Sequence, residues 1–343
     1  MKLSDIKLND WGHFNDSPAS FTINQYDLPR PWSYIYTSDE ILMRIDHQGC
    51  GYAQVDPPGG IMLYKPERYE NFPLFSVWLK DSDGKTFTNF FKPNNCGFEY
   101  VPDKYNCIFK PEYAEYLLEF NHWKVITRIG IASDQAAIIM HLSIENLASH
   151  ERTLDIIPTW RPHNSKADLA LWDVPELYQS CKFFNNHGKG IMVETRDPDA
   201  ELKNRKYSVL TTNLEANDIE LNYEKFIGRG NYENPEALQK AAWSLADNQD
   251  YQLEDFRSKD AVISQLPIAA MRANAIKFQA GKKYDFSLAL CHLRETDYRK
   301  LAAHCDEIQS LLTEDNWNQQ VDSQKELYAD WMSKFRLHTP DSA

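Results

Sequence analysis

The sequence has no closely spaced cysteines. In a chain of 343 residues, such scatter is typical of reduced cytoplasmic thiols and argues against a disulfide framework. Zinc ligands usually come in closely spaced pairs, and the adjacent His304 and Cys305 fit no common ligand spacing. We therefore predict a cytoplasmic protein without a metal site. The six single cysteines are Cys50, Cys96, Cys107, Cys181, Cys291 and Cys305.

Long apolar runs are also missing. No stretch of 18 apolar residues occurs, and residues 1–30 contain no apolar run of signal-peptide length. The chain has 37 basic and 50 acidic residues, a net charge of −13, which opposes binding to nucleic acid or to an anionic membrane. These features favour a soluble protein whose partners are neither nucleic acid nor membrane.

Local catalytic motifs are absent as well. The sequence has no nucleophile elbow, no Gly-rich phosphate loop, no HExxH and no dinucleotide fingerprint. The glycine-rich stretch GCGYAQVDPPGG (49–60) lies within a strand pattern, so we interpret it as a turn or bulge. Acidic residues are abundant, but nothing selects a pair that could hydrolyse a glycoside. The motifs alone therefore single out no catalytic residue.

What the sequence does contain is alternation with period two, from about residue 20 to 290. In QAAIIMHLSIENL, one face carries five apolar residues, whereas His141 and Ser143 fall on the other. Such alternation predicts strands with one buried and one wet face. With short Gly, Pro and Asn turns between the strands, one of them at Gly281, it predicts a mainly β fold, a large antiparallel β-sandwich. The five apolar residues are Ala136, Ile138, Met140, Leu142 and Ile144.

Helical patterns are few. NPEALQKAAWSLAD (234–247) predicts a helix with Asn234 as N-cap and Pro235 in its first turn. Near the end, Thr313 can cap a second helix with a one-sided apolar stripe. We predict a β-sandwich over residues 1–292 and a helical segment over 293–343. The stripe consists of Trp317, Val321, Tyr328, Trp331 and Phe335.

Residues 158–180 are the best candidate ligand site by composition. Here Trp160, Asn164 and Gln179 offer an indole platform and amide groups, which suit a sugar. Arg229, between Gly228 and Gly230, could present a guanidinium. The alternatives are a long loop packed on the sandwich and a tight turn with a solvated arginine. The aromatic strip DLPRPW (27–32) likewise suits either packing or docking.

Several stretches together resemble glycoside hydrolase family 94, the cellobiose and chitobiose phosphorylases. They are TINQYDLPRPW, GCGYAQ, NLASHERTLDI, KFIGRGNYENPEAL and ADWMSKFRLHTPD, in this order along the chain. The resemblance implies a supersandwich of the galactose-mutarotase type followed by a helical linker. It also implies that the family's catalytic α/α barrel would begin where this chain stops, so that the chain alone is catalytically inert.

The same resemblance implies a function. Family members cleave β-linked sugars with inversion, using inorganic phosphate as co-substrate and no cofactor. A sandwich loop helps to bind the acceptor sugar, with an Asn four residues after a Trp, as Asn164 follows Trp160. In the family, an Arg follows a Tyr-Gln pair, but here Ser180 follows Tyr178 and Gln179. The identity of the acceptor sugar is therefore left open. The expected partners are a barrel in cis or in trans and a second copy in a homodimer.

Two other functions stay open at this point. One is a stand-alone carbohydrate-binding sandwich that uses the 158–180 loop. The other is a sugar mutarotase, whose chemistry needs a histidine acid and a carboxylate base in one cleft; His141 and His163 are its candidates.

Overall fold

The computed structural model describes most of the chain. The described residues are 11–16, 19–57, 60–64, 72–91, 102–166, 179–186, 188–195, 205–231, 234–243, 245–246, 262–263, 266–295 and 300–334. Tyr178 and Phe335, which figure in the sequence predictions, lie outside them.

The largest sheet has eleven strands. All paired neighbours are antiparallel. In spatial order they are β1 (Gly12–Asp16), β2 (Ala19–Ile23), β9 (Lys104–Phe109), β10 (Ala114–Phe120), β11 (Trp123–Ile131), β12 (Ala137–Asn146), β22 (Lys283–Leu293), β17 (Lys206–Thr212), β16 (Lys189–Thr195), β15 (Gln179–Phe184) and β20 (Val262–Ile263).

Two smaller antiparallel sheets complete the β body. The six-stranded sheet has the order β19 (Leu245–Ala246), β18 (Asp218–Asn222), β21 (Pro267–Phe278), β13 (Arg152–Trp160), β7 (Phe75–Asp81) and β8 (Thr86–Thr88). The five-stranded sheet has the order β14 (Ser165–Lys166), β6 (Ile61–Tyr64), β5 (Gly51–Val55), β4 (Ile41–Asp46) and β3 (Ser33–Thr37).

The alternating apolar positions build the main core. The five apolar residues predicted from Ala136 to Ile144 to share a face are all buried, in one cluster with residues of all three sheets. We call this side of the eleven-stranded sheet its inner face. The predicted antiparallel sandwich is confirmed, and so is the turn at Gly281, whose φ of +64° suits glycine.

The opposite side of the large sheet, which we call its helix face, is partly covered by helices. Helix α2 (Leu301–Ser310) and helix α3 (Glu314–Lys334) follow the last strand. Ile139 and Cys291 of the sheet pack with Cys305 of α2 and Trp317 of α3 in a second buried cluster. Thr313 caps α3, as predicted: its hydroxyl accepts a hydrogen bond from Asn316 N–H at 3.3 Å.

Between β22 and α2 the chain passes from strands to helices. β22 ends at Leu293 and α2 begins at Leu301. The division into units 1–292 and 293–343 stays a prediction. No helix among the described residues is both long and apolar enough to cross a membrane.

The helix predicted over 234–247 is wrong. Helix α1 (Tyr223–Ile227) precedes this stretch, which forms only a 3₁₀ turn at Glu236–Gln239 and then strand β19. Arg272 of β21 explains why no longer helix forms here, because its guanidinium donates hydrogen bonds to the carbonyl oxygens of Lys240 and Ala241 at 2.8 and 3.1 Å. Carbonyls turned toward a buried guanidinium cannot continue a helical ladder.

Candidate functional site

Asn164 is the centre of a buried polar cluster. It follows β13 in the left-handed conformation (φ +42°), which Asn tolerates better than most residues, and its side chain is fully buried. Its Nδ2 donates to Thr195 Oγ1 at 3.0 Å, and its Oδ1 accepts from Ser208 Oγ at 2.7 Å. The amide therefore ties the loop after β13 to β16 and β17.

Trp160 and Gln179 lie beside Asn164. The buried indole of Trp160 donates from Nε1 to the carbonyl of Leu63 at 3.1 Å. Gln179, on β15, donates from Nε2 to the carbonyl of His163 at 2.5 Å. The structure thus brings three of the four predicted residues together, each with an internal packing role. Their sugar-binding role stays a prediction.

Arg229 stands apart from these three residues. It lies exposed on the turn after α1, and its backbone N–H donates to Glu236 Oε2 at 2.8 Å. Glu236 has a lowered pKa because of this N–H and the nearby Lys240 ammonium. Among the described residues, no hydrogen bond or ion pair joins Arg229 to Trp160, Asn164 or Gln179.

The two histidines considered for mutarotase chemistry have different surroundings. His163 is buried, and its backbone N–H donates to the carbonyl of Leu63 at 3.0 Å. His141 lies on the helix face of β12, where its Nδ1 is 2.8 Å from Ser287 Oγ. Burial lowers the pKa of His141 to about 4, and the positive charge of Arg128 acts in the same direction. His141 is therefore neutral at pH 7.

A polar path leads from Asn164 to the surface. Ser208 Oγ, which donates to Asn164, is also 3.0 Å from Nδ1 of His292 on β22. His292 lines an open cavity of about 220 Å³ together with Glu40, Arg294 and His304. Burial lowers the pKa of His292 to about 4, so the imidazole links the cluster to the cavity in its neutral form.

Sequence reasoning missed Ser208 and His292. A signal for His292 was available, because Phe286, Leu288 and Leu290 alternate along β22 and His292 is the next residue in phase. An inward-facing histidine in an apolar register needs a polar partner, which Ser208 supplies. In the described part of the chain, no three His, Cys, Asp or Glu side chains are grouped so that they could hold a metal ion.

The architecture defines a class of protein: a large antiparallel supersandwich with helices packed on one face. A sequence profile of the glycosyl hydrolase 94 supersandwich domain matches residues 19–256, more than half of the chain. The chain therefore belongs to this family, whose members are sugar-processing enzymes. No match was found among curated protein sequences.

Several solved structures align with the chain. A candidate kojibiose phosphorylase from the human microbiome aligns with a TM-score of 0.51 at 10% identity, over 93% of this chain and 38% of that one. A bacterial glucoamylase in complex with acarbose aligns with a TM-score of 0.48 at 10% identity, over 90% and 40% of the two chains. A candidate aldose 1-epimerase from Escherichia coli K12 gives 0.42 at 9% identity, over 77% and 99%. The chain thus spans well under half the length of the first two proteins.

Proposed function

We propose that this chain is the non-catalytic supersandwich portion of a cytoplasmic inverting glycoside phosphorylase that acts on β-glucosides. Its partner is an α/α-barrel catalytic domain, supplied in cis or in trans. Membership of the glycosyl hydrolase 94 family supports the sugar substrate and the separate catalytic domain. By the same proposal, the complete enzyme is a homodimer that uses inorganic phosphate and no cofactor.

The position of α3 supports the part of this proposal in which the sandwich docks to a barrel. The helix is held to the sandwich at Gln320, whose Oε1 accepts from Ser133 N–H at 2.8 Å, and at Tyr328, whose hydroxyl bonds that of Tyr34. Beyond Tyr328 every described residue of the helix is exposed. Trp331 and Met332 are 40% and 66% exposed there. Adjacent exposed apolar side chains on a departing helix favour burial against a further domain.

The chemistry assigned to the complete enzyme is a single displacement. Phosphate attacks the anomeric carbon while a carboxylic acid of the barrel protonates the leaving oxygen, as water attacks in inverting glycosidases. In this scheme the sandwich supplies the acceptor side of the site through the loop that Trp160, Asn164 and Gln179 hold in place. Arg229, which lies apart from these three residues, is a separate candidate contact with the acceptor. The sandwich needs no acid or base of its own.

The test is phosphate release from α-glucose 1-phosphate mixed with acceptor sugars. We expect no release by these 343 residues alone and release once an α/α-barrel domain of the family is added or fused. A matched variant, Trp331→Glu/Met332→Glu, should reduce the gain from an added barrel, whereas Asp322→Ala on the same helix should not. Release by the chain alone would refute the non-catalytic role.

Binding measurements separate this function from that of a stand-alone carbohydrate-binding protein. A bare acceptor half-site binds a disaccharide weakly, because it contacts only part of the ligand. Low-micromolar binding of an oligosaccharide by the chain alone would favour the stand-alone function.

A further inference from the structure

A second cavity of about 220 Å³ lies on the helix face of the large sheet, beside the start of α3. We call it the helix-face cavity. Its floor is formed by β11, β12 and β22, and Trp317 of α3 forms one wall. It is distinct from the Asn164 cluster, whose amide lies among β16, β17 and the loop after β13.

The floor carries a row of polar side chains across neighbouring strands. Arg128 pairs with His141, and His141 with Ser287, in the strand registers. Ser287 N–H donates to Asn213 Oδ1 at 2.8 Å, which extends the row to the loop after β17. Asn213 Nδ2 makes no hydrogen bond to the described residues. The row therefore consists of groups held in place by the sheet, and Asn213 Nδ2 is available to donate a hydrogen bond to a ligand.

A parallel row lies one step along the strands. There Ser143 of β12 pairs with Asp285 of β22 and faces the same cavity. The side chain of Asp285 is 62% exposed and is 3.1 Å from Lys283 Nζ. Asn318, in the first turns of α3, completes this rim. Hydroxyl, amide and carboxylate groups thus surround an indole wall.

The charges around the cavity balance. Arg128 is bound to Glu115 at 2.8 Å, and Lys283 is paired with Asp285. Glu314 already places negative charge in the first turn of α3, where the helix dipole would otherwise attract an anion. His141 is neutral at pH 7. Arg128 and Lys283, the cations that line the cavity, are thus already paired, and Glu314 faces the positive end of the α3 dipole.

We propose that the helix-face cavity binds one ring of a neutral sugar, either a free monosaccharide or the end ring of an oligosaccharide. Indole, hydroxyl, amide and carboxylate groups are what recognition of a neutral polyol requires. The volume is below the roughly 300–1,000 Å³ of pockets that take drug-sized ligands, which suits a single ring. The proposal does not rest on the proposed function, since it concerns a different part of the sandwich and needs no barrel.

The experiment is a titration of the full chain by NMR, following the indole N–H signal of Trp317. The probes are glucose, cellotetraose and inorganic phosphate. Two variants at exposed rim positions, Asp285→Ala and Asn318→Ala, test the site, so that one serves if the other fails to fold. Asp322→Ala is a matched control, because Asp322 is also exposed and is paired with a lysine, Lys325, at 3.0 Å.

We expect saturable shifts with the neutral sugars, an affinity at least roughly fivefold weaker in Asp285→Ala or Asn318→Ala, and no change in Asp322→Ala. Equal affinities for the two sugars would assign the site to a free monosaccharide, and tighter cellotetraose binding to a chain end. The proposal is overturned if the sugars cause no saturable shift, if the rim variants match the control, or if phosphate binds more tightly than glucose.

Discussion

The hydroxyl of Tyr34, on edge strand β3, is hydrogen-bonded to the hydroxyl of Tyr328, on helix α3, across 294 residues of sequence. Burial and this contact raise the pKa of Tyr34 well above its ordinary value. The pair joins the five-stranded sheet to the helix that otherwise packs on the eleven-stranded sheet. Beyond Tyr328, every described residue of α3 is exposed.

Tyr34→Phe and Tyr328→Phe should each lower the free energy of unfolding by about 1 kcal/mol, because each leaves one hydroxyl without its partner. The double variant should cost little more than either single one. Urea denaturation measures the effect, and hydrogen exchange should speed up mainly in the second half of α3. Tyr284→Phe, at an exposed position, is the control. If it lowers the free energy of unfolding equally, the hydrogen bond between Tyr34 and Tyr328 contributes no specific stability.

Asn164→Ala should destabilise the chain by about 2–4 kcal/mol, because it removes the hydrogen bonds of a buried amide, chiefly those with Thr195 and Ser208, and places alanine at a left-handed φ. Asn164→Gly separates the two causes, since glycine adopts this φ without strain. It should recover part of the loss but not the hydrogen-bond part. Thermal and urea unfolding of the three proteins check this, and full recovery in the glycine variant would mean that the hydrogen bonds contribute nothing.

Acidification should weaken the fold between about pH 6.5 and pH 4. The unfolded chain protonates histidine near pH 6.5, whereas folded His141 and His292 do so only at about pH 4. Their stabilising contribution is therefore full above pH 6.5 and is lost as the pH falls, by roughly 3 kcal/mol for each histidine.

The measurement is the free energy of unfolding at pH 7 and pH 4. Replacing His292 by Asn should reduce the difference between the two pH values, because Asn cannot titrate. A pH difference that stays the same in His292→Asn would contradict the assignment.

Arg272→Met should lower the free energy of unfolding by about 3–5 kcal/mol, because it leaves the carboxylate of Asp218 buried without its cation. The arginine also holds the carbonyls of Lys240 and Ala241 and stacks on Trp243, so residues 236–243 should lose protection from hydrogen exchange. The double variant Arg272→Met/Asp218→Leu should regain much of the stability while the exchange stays fast. Slow exchange in Arg272→Met would show that the arginine does not hold this segment.

Trp331→Glu/Met332→Glu should reduce self-association of the isolated chain without changing its unfolding free energy, because both side chains are exposed and make no core contact. Sedimentation at increasing concentration checks this. Leu147→Glu, at another exposed apolar position, serves as the control. If the unmodified chain is monomeric at all concentrations, Trp331 and Met332 do not mediate self-association.

The strands could be predicted because their signal is local. The alternation from Ala136 to Ile144 predicts which side chains enter the main core, and the register follows from it. The opposite face was predicted to be wet, but Ala137 and Ile139 are buried there because α2 and α3 cover them. The same pattern placed His141 and Ser143 on the opposite face, where both line the helix-face cavity. Gly281 marked its turn, and Thr313 its helix start, by residue type alone.

The rest depended on contacts that are distant in sequence. Nothing in the sequence near Lys240 shows that Arg272, on another strand, will donate a hydrogen bond to its carbonyl. The helix that the start signal at Asn234 and Pro235 predicts therefore does not form. The loop residues Trp160 and Asn164 were recognised as a polar-aromatic group, but composition does not reveal that both are buried. Spacing along the chain likewise could not show that Arg229 lies apart from them.

Helix α3 has its base at the cavity and its tip in solvent. Trp317 and Trp331 are 14 positions apart, which at about 1.5 Å per residue is roughly 21 Å of rod. Trp317 is wedged between Tyr113 and His141, with ring centroids 5.5 and 4.8 Å away. One continuous helix therefore forms the wall of the cavity at Trp317 and exposes an apolar side chain at Trp331.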